Sequence, residues 1–170
     1  MTIAKATPED VPALNKLVNS AYRGDSSRQG WTTEADILDG TRTDEAAIKE
    51  FMREPGSIIL KVQEGAGIIG CVRLVKHGHK LYLGMFAVDP SAQNKGIGKK
   101  ILLAAEAEAA QQQCAAIYMT VISVRAELIA WYNRNGYQQV GDKKPMVFDN
   151  PSGGIPKTDL YFITLEKNLK

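Results

Sequence analysis

Cysteine and histidine are scarce in this chain, with two of each among 170 residues. Cys71 and Cys114 stand alone in apolar surroundings, Gly70-Cys71-Val72 and Cys114-Ala115-Ala116, so a disulfide framework is not expected and both read as buried free thiols. With no CxxC or HExxH spacing, no metal site is expected either. Long apolar runs are also missing: none approaches the ~20 residues that a membrane-spanning helix needs. The opening Met1-Thr2-Ile3-Ala4-Lys5 lacks the basic-then-apolar layout of a signal peptide. A formal net charge of +2 is too small to argue for nucleic acid or an anionic membrane as partner. These absences leave a cytoplasmic protein as the expectation. With 44% hydrophobic and 24% charged residues, the chain reads as one domain over residues 1–170 with an ordinary core.

One further absence is local. No carboxylate lies between Asp89 and Glu106, although Lys95, Lys99 and Lys100 fall inside that interval. Before the interval runs an apolar stretch, Leu81, Leu83, Met85, Phe86, Ala87 and Val88, followed by the turn Asp89-Pro90-Ser91-Ala92. Inside it, Gln93-Asn94-Lys95-Gly96-Ile97-Gly98 leads into an Ala/Leu/Glu/Gln-rich helix that reaches about Gln113. A helix start carries unpaired N–H groups and partial positive charge. Lysines there are mildly unfavourable unless a bound anion offsets them, so strand, glycine loop and helix point to a phosphate ligand. Gly96 and Gly98 would let the backbone approach it closely.

The flanking segments read as follows. Thr7-Pro8-Glu9-Asp10 caps a first helix whose apolar positions run from Val11 to Tyr22 at helical spacing. A polar loop from Arg23 to Trp31 feeds a short second helix over Thr33 to Leu38, and Thr43 caps a third that Pro55-Gly56 ends. Two β-branched runs, 58–62 and 68–75, form a hairpin. Gly65-Ala66-Gly67-Ile68-Ile69-Gly70 matches the dinucleotide pattern GxGxxG, but a strand follows where the mechanism needs a helix start, so it reads as a turn. His77-Gly78-His79-Lys80 turns into the strand at Leu81. Residues 115–122 form another strand, Ser123 caps a helix through Arg134, and Asn135-Gly136 ends it. A strand starts at Tyr137-Gln138-Gln139-Val140, a long Pro/Gly/Asp loop spans 141–157, and Leu160 to Leu165 is the last strand.

The loop satisfies Q/R-x-x-G-x-G/A between a strand reading Met85-Phe86-Ala87-Val88-Asp89-Pro90 and an amphipathic helix. Together with Trp131-Tyr132-Asn133-Arg134-Asn135-Gly136-Tyr137 downstream, it resembles the GNAT superfamily of acetyl-CoA-dependent N-acetyltransferases, across nearly the whole chain. The segment from Arg125 to Tyr137, reading R-x-E-L-x-x-W-Y-x-R-x-G-Y, is similar to a recurrent branch of that family. The resemblance implies a mixed α+β fold: a mostly antiparallel twisted sheet of about seven strands, helices on both faces, and a V-shaped splay between the strands at 81–88 and 115–122. It implies acetyl-CoA as co-substrate. Its binding set would be Phe86, Ala87 and Val88 for the pantetheine arm and Gln93, Asn94, Lys95, Gly96, Ile97, Gly98 and Lys99 for the pyrophosphate. An amide of the first splayed strand would polarise the thioester carbonyl.

By the same resemblance Tyr132 is the catalytic residue, its hydroxyl giving a proton or hydrogen bond to the departing thiolate. Taken alone, Tyr132 would read as a packing aromatic, since Leu128, Ile129 and Trp131 share its helix. The chain departs from the family where many members carry Asn and Ala, which here are Arg125 and Leu128; Arg125 could reach a CoA phosphate or an acid. Trp31, Glu34 and Tyr82 are substrate-site candidates, and Glu34, Asp36, Tyr82, His77 and His79 are candidates for the base that deprotonates the amine. Met146 and Phe148, in the 141–157 loop, could roof the acceptor. Expected function is direct acetyl transfer to a primary amine, with a small molecule favoured over a protein lysine; a non-catalytic acyl-CoA-binding module is the alternative. A homodimer is left open.

Overall fold

The computed structural model describes residues 1–22, 38–39, 43–93, 95–145, 155–156 and 160–169. Its strands are β1 (Thr2–Lys5), β2 (Leu38–Asp39), β3 (Ser57–Glu64), β4 (Gly67–His77), β5 (Lys80–Val88), β6 (Ala116–Ile122), β7 (Gln138–Pro145), β8 (Ile155–Pro156) and β9 (Tyr161–Asn168). Its described helices are α1 (Val11–Tyr22), α2 (Glu45–Arg53), α3 (Ile97–Gln111) and α4 (Ala126–Arg134). Seven strands form one sheet in the order β1-β3-β4-β5-β6-β9-β7, and β2 pairs with β8 separately. All neighbours in the large sheet are antiparallel except β5 and β6.

Two apolar clusters put helices on both faces. Val11, Leu14 and Val18 of α1 and Ile48 of α2 pack with Ile59, Cys71, Met85 and Ala87. On the opposite face, Ile97, Ile101, Leu102 and Ala105 of α3 and Tyr132 of α4 pack with Val72, Leu74, Leu81, Leu83, Ile117 and Met119. Strand side chains alternate between faces, so Leu81, Leu83, Met85 and Ala87 should all lie on one side. They do not. The register of β4 against β5 slips between Cys71 and Arg73, and Met85 takes φ 48°, so a bulge inserts one residue and reverses the parity. Before the bulge the even positions Tyr82 and Gly84 face α1 and α2; after it, Phe86 and Val88 face α3 and α4.

The parallel pairing of β5 with β6 joins only Lys80, Leu81 and Tyr82 to Ala116, Ile117 and Tyr118. Beyond Tyr82 the strands diverge, which is the expected V-shaped splay. Other expectations need correction. β1 had no forecast. Its four residues are all exposed and carry no alternating pattern, yet they add an edge strand to β3. Asp44, not Thr43, caps α2, its carboxylate accepting from the Ala47 amide at 2.7 Å, while Thr43 is buried and exchanges hydrogen bonds with Asn19. Ser123 does not cap α4; Arg125 stands at that position without a side-chain cap bond. The strand expected to stop at Val140 continues to Pro145, and Ile155–Pro156 pairs with Leu38–Asp39, so the 141–157 stretch is not all loop. Leu38 is in a strand, while 33–37 of the expected short helix lie outside the described residues.

Candidate functional site

The glycine loop sits where β5 ends and α3 begins. Asp89 accepts from the Ser91 amide at 2.9 Å and opens a short turn over Pro90–Ala92, which buries Ala92. Gly96 then stands at the helix start with φ 77°, the left-handed region, and a Cβ added there would meet nothing within 4 Å. Ile97 is buried in the core and anchors the first turn, leaving Lys95, Lys99 and Lys100 exposed around it. The first turn of α3 has no acid. A helix N-terminus flanked by three lysines and no carboxylate is electrostatically suited to an anion.

Beyond Tyr82, no strand among the described residues pairs with the β6-facing edge of β5. N–H and C=O of one extended residue point the same way, so Phe86 and Val88 aim theirs at that edge. Their carbonyls take local partners: the Tyr22 hydroxyl, at the end of α1, donates to Phe86, and Gln93 Nε2 donates to Val88 at 3.2 Å. The bulge is held from below by the Cys71 thiol, which donates to the Met85 carbonyl at 3.6 Å.

One cavity of about 290 Å³ joins these features. Phe86, Ala87, Val88, Gln93, Gly96, Gly98, Lys99, Arg125 and Tyr132 of the expected set all line it. Lys95 lies beside it, exposed, and the Ile97 side chain points into the core instead. Asn94, Trp31, Glu34 and Asp36 fall outside the described residues, as do Met146 and Phe148. Tyr82 lies outside this cavity, in an aromatic group with His77 and Tyr118 on the α1 face. Leu128, Trp131 and Arg134 of the α4 segment also line the cavity, as do Ala21 and Tyr22, which carry no site expectation from the sequence. Tyr22 had been counted with the apolar face of α1; the signal that could have found it is a phenol at a helix end, whose hydroxyl needs a partner when its ring is covered.

Tyr132 lies at the junction of β5 and α4. Its ring meets Phe86, Trp131 and Tyr137 edge-on at centroid distances of 6.3, 5.1 and 6.0 Å, and 4% of it is exposed. Burial pushes its phenol well above the usual tyrosine value, with Tyr22 adding to the rise and Arg125 opposing it. Tyr132 is therefore a neutral donor at every ordinary pH. Arg125, buried at the start of α4, carries its guanidinium 5.7 Å over the Tyr22 ring. Two backbone bonds fix the far end of α4: Asn135 and Tyr137 N–H both donate to the Tyr132 carbonyl, at 3.0 and 3.1 Å. Neither Cys71 nor Cys114, both buried and outside any disulfide, lines the cavity. Among the described residues no group of three or more His, Cys, Asp or Glu could hold a metal, and no helix is long and apolar enough to cross a membrane.

Comparison with known proteins bears on the fold and the family. The chain shares 99% of its length with a ribosomal-protein-alanine N-acetyltransferase from Brucella melitensis, at TM-score 0.73 and 19% identity, covering 100% of that chain. With the ribosomal-protein-S18-alanine N-acetyltransferase from Escherichia coli the TM-score is 0.75 at 15% identity, covering 99% of this chain and 94% of that one. A GNAT family acetyltransferase from Elizabethkingia anophelis with acetyl-CoA bound matches at TM-score 0.58 and 16% identity, over 73% of this chain and 82% of that one. A curated relative, "Uncharacterized protein YdhI" of Bacillus subtilis (strain 168), is 31% identical over 77 residues, which is 45% of this chain and 47% of that protein, so the match spans about half the length of either. The model of the acetyltransferase (GNAT) family matches residues 14–137, from α1 through α4 to Tyr137, and the chain belongs to that family.

Proposed function

We propose that the chain transfers an acetyl group directly from acetyl-CoA to a primary amine, with a small molecule favoured as acceptor. The observation that carries this proposal is the meeting, in one cavity of about 290 Å³, of the bare β5 edge, the left-handed Gly96 at a lysine-flanked helix start, and the buried Tyr132 phenol. A cavity of that size suits the reacting end of a thioester and a small amine.

Acetyl-CoA, when bound, supplies an activated acetyl thioester. The chain supplies position and charge. Backbone amides of the Gln93 to Lys99 loop, with the Lys95, Lys99 and Arg125 cations, would hold the pyrophosphate. The edge groups of Phe86 and Val88, either side of Ala87, would orient the pantetheine arm, and an amide of this strand would polarise the thioester carbonyl. Tyr132 holds a proton for the departing sulfur, and its raised pKa keeps that proton in place. A covalent acyl-cysteine would need a thiol in the cavity; Cys71 and Cys114 are buried elsewhere.

The test is a screen of spermidine, lysine methyl ester and an alanine-initiated peptide with acetyl-CoA, read by thiol release and by the mass of the amine product. The proposal expects one of the small amines to outpace the peptide, and Tyr132→Phe to lower kcat by about 10²-fold or more while leaving acetyl-CoA affinity within a few-fold. Absence of transfer to every amine, despite acetyl-CoA binding, would favour a non-catalytic module.

A further inference from the structure

On the face of the sheet that carries α1 and α2, three titratable rings gather at the last paired residues of β5 and β6. Tyr82 and Tyr118 are register partners there, with ring centroids 5.5 Å apart. His77, at the end of β4, lies 6.1 Å from the Tyr82 ring, and its Nδ1 is 2.7 Å from the Tyr118 hydroxyl. The Tyr82 ring is folded along its own strand over Gly84: a Cβ at Gly84 would come within 2.7–2.9 Å of Tyr82 Cε2, Oη and Cζ. Glycine at that position is what lets the phenol lie flat and extend toward the divergence of the two strands. His77, in contrast, is exposed and lines an open pocket of about 420 Å³ with Tyr118.

We propose that these residues form an outlet for the acceptor amine's proton, in which Tyr82, at the base of the splay and outside the cavity lining, collects the proton by way of water and His77 receives it by way of Tyr118. This rests on the acetyl-transfer reading above. An amine arrives as an ammonium and must shed one proton before its lone pair can attack the acetyl carbon. Tyr82 Oη accepts that proton from a water at the vertex of the splay and passes its own, through a second water, to Tyr118 Oη. Tyr118 hands its hydroxyl proton to His77 Nδ1. The exposed imidazolium then releases the Nε2 proton to solvent, and exchange with water converts the resulting Nδ1–H ring back to the Nε2–H form before the next turnover, so each phenol ends as it began. The direction requires Nδ1 to be the unprotonated nitrogen of the neutral ring, the Nε2–H tautomer. Burial raises the Tyr118 pKa, Tyr82 adds to the rise and Lys80 opposes it, so Tyr118 conducts as a phenol and not as a phenolate. Charges facing His77 come from three strands: Lys80 on β5, Glu166 on β9, and Asp142 and Lys144 on β7. Lys80 and Glu166 neutralise each other at 2.7 Å.

The experiment measures pH–rate profiles of wild type, His77→Gln, Tyr118→Phe, the double variant and Gly84→Ala, using the fastest acceptor among spermidine, lysine methyl ester and the alanine-initiated peptide. Acetyl-CoA affinity is measured alongside. His77→Gln and Tyr118→Phe should each lower kcat about tenfold and remove the acid-side limb of kcat/KM. The double variant should be no slower than either single, and acetyl-CoA Kd should stay within twofold throughout. Gly84→Ala should displace the Tyr82 ring and slow transfer similarly. Imidazole nitrogen NMR should show His77 as the Nε2–H tautomer in wild type. Wild-type rates and an intact limb in both single variants, or an Nδ1–H tautomer, would overturn the outlet and leave acetyl transfer standing. A wild-type protein that acetylates none of the amines would overturn both.

Discussion

Replacing Gly96 with alanine isolates the geometry of the anion loop. Nothing lies within 4 Å of a Cβ at this position, so the substitution creates no clash and its cost comes from φ 77° alone. Holding an L-residue in the left-handed region costs roughly 1–2 kcal/mol, and the stiffer unfolded chain returns roughly 0.4–1 kcal/mol of it. The net loss is about 1 kcal/mol, or about 2–4 °C in Tm for a chain of this size. Binding should suffer more. If strain turns one loop amide away from the pyrophosphate, a charge-assisted hydrogen bond of roughly 1.5–3 kcal/mol is lost, which weakens acetyl-CoA by about tenfold or more. Asparagine tolerates the left-handed region better, so Gly96→Asn should fall between alanine and wild type in both respects. Thermal unfolding and calorimetric titration with acetyl-CoA measure the two effects. An alanine variant with wild-type Tm would refute the conformational argument, and one that lost stability but kept wild-type affinity would refute the loop as the anion site.

Three further outcomes follow from particular residues. Lys99 is exposed at the cavity rim, so Lys99→Ala should weaken acetyl-CoA a few-fold at low ionic strength and much less at about 1 M salt, where charges are screened within ~3 Å; a salt-independent loss would contradict this. Gly70 packs β4 against α3 so closely that a Cβ would meet Ile101 Cδ1 at 2.8 Å and the Ala87 carbonyl at 3.4 Å, so Gly70→Ala should cost about 1–3 kcal/mol in denaturant unfolding, and an unchanged midpoint would count against it. Tyr132 and Tyr137 both have pKa values raised above about 10, the first by burial and the second by burial with Glu106 beside it. Stability should therefore be level with respect to these groups below pH 10 and fall above it, because the unfolded chain releases protons that the fold retains. The slope reaches roughly 1.4 kcal/mol per pH unit for each tyrosine, and Tyr137→Phe should make it shallower; unfolding free energies equal at about pH 9 and 11 would refute the assignment.

What the sequence disclosed was local. A glycine loop between a strand and a helix, and a tyrosine within an aromatic helix end, need only neighbouring residues to be recognised, and both line the cavity. The edge elements escaped. β1 reads Thr2-Ile3-Ala4-Lys5, with every residue exposed, so no burial pattern marks it. Residues 141–145 contain Gly, Asp, two Lys and Pro, which argue against a central strand; at the sheet edge, with a register shift between Val140 and Lys144, they are tolerated. The bulge was illegible because its left-handed residue is Met85 and not the adjacent glycine. Tyr22 meets Phe86 across 64 residues and Tyr118 meets His77 across 41, pairings that only helix packing and strand order create.

Amide chemical-shift mapping during titration with acetyl-CoA tests the central claim most directly. If the bare β5 edge and the Gly96 helix start hold the ligand, the largest shifts fall on Phe86 to Val88 and Lys95 to Lys99, with the Tyr132 region following. Shifts centred instead on the His77 and Glu166 pocket, or a titration that leaves the 86–99 amides unmoved, would contradict it.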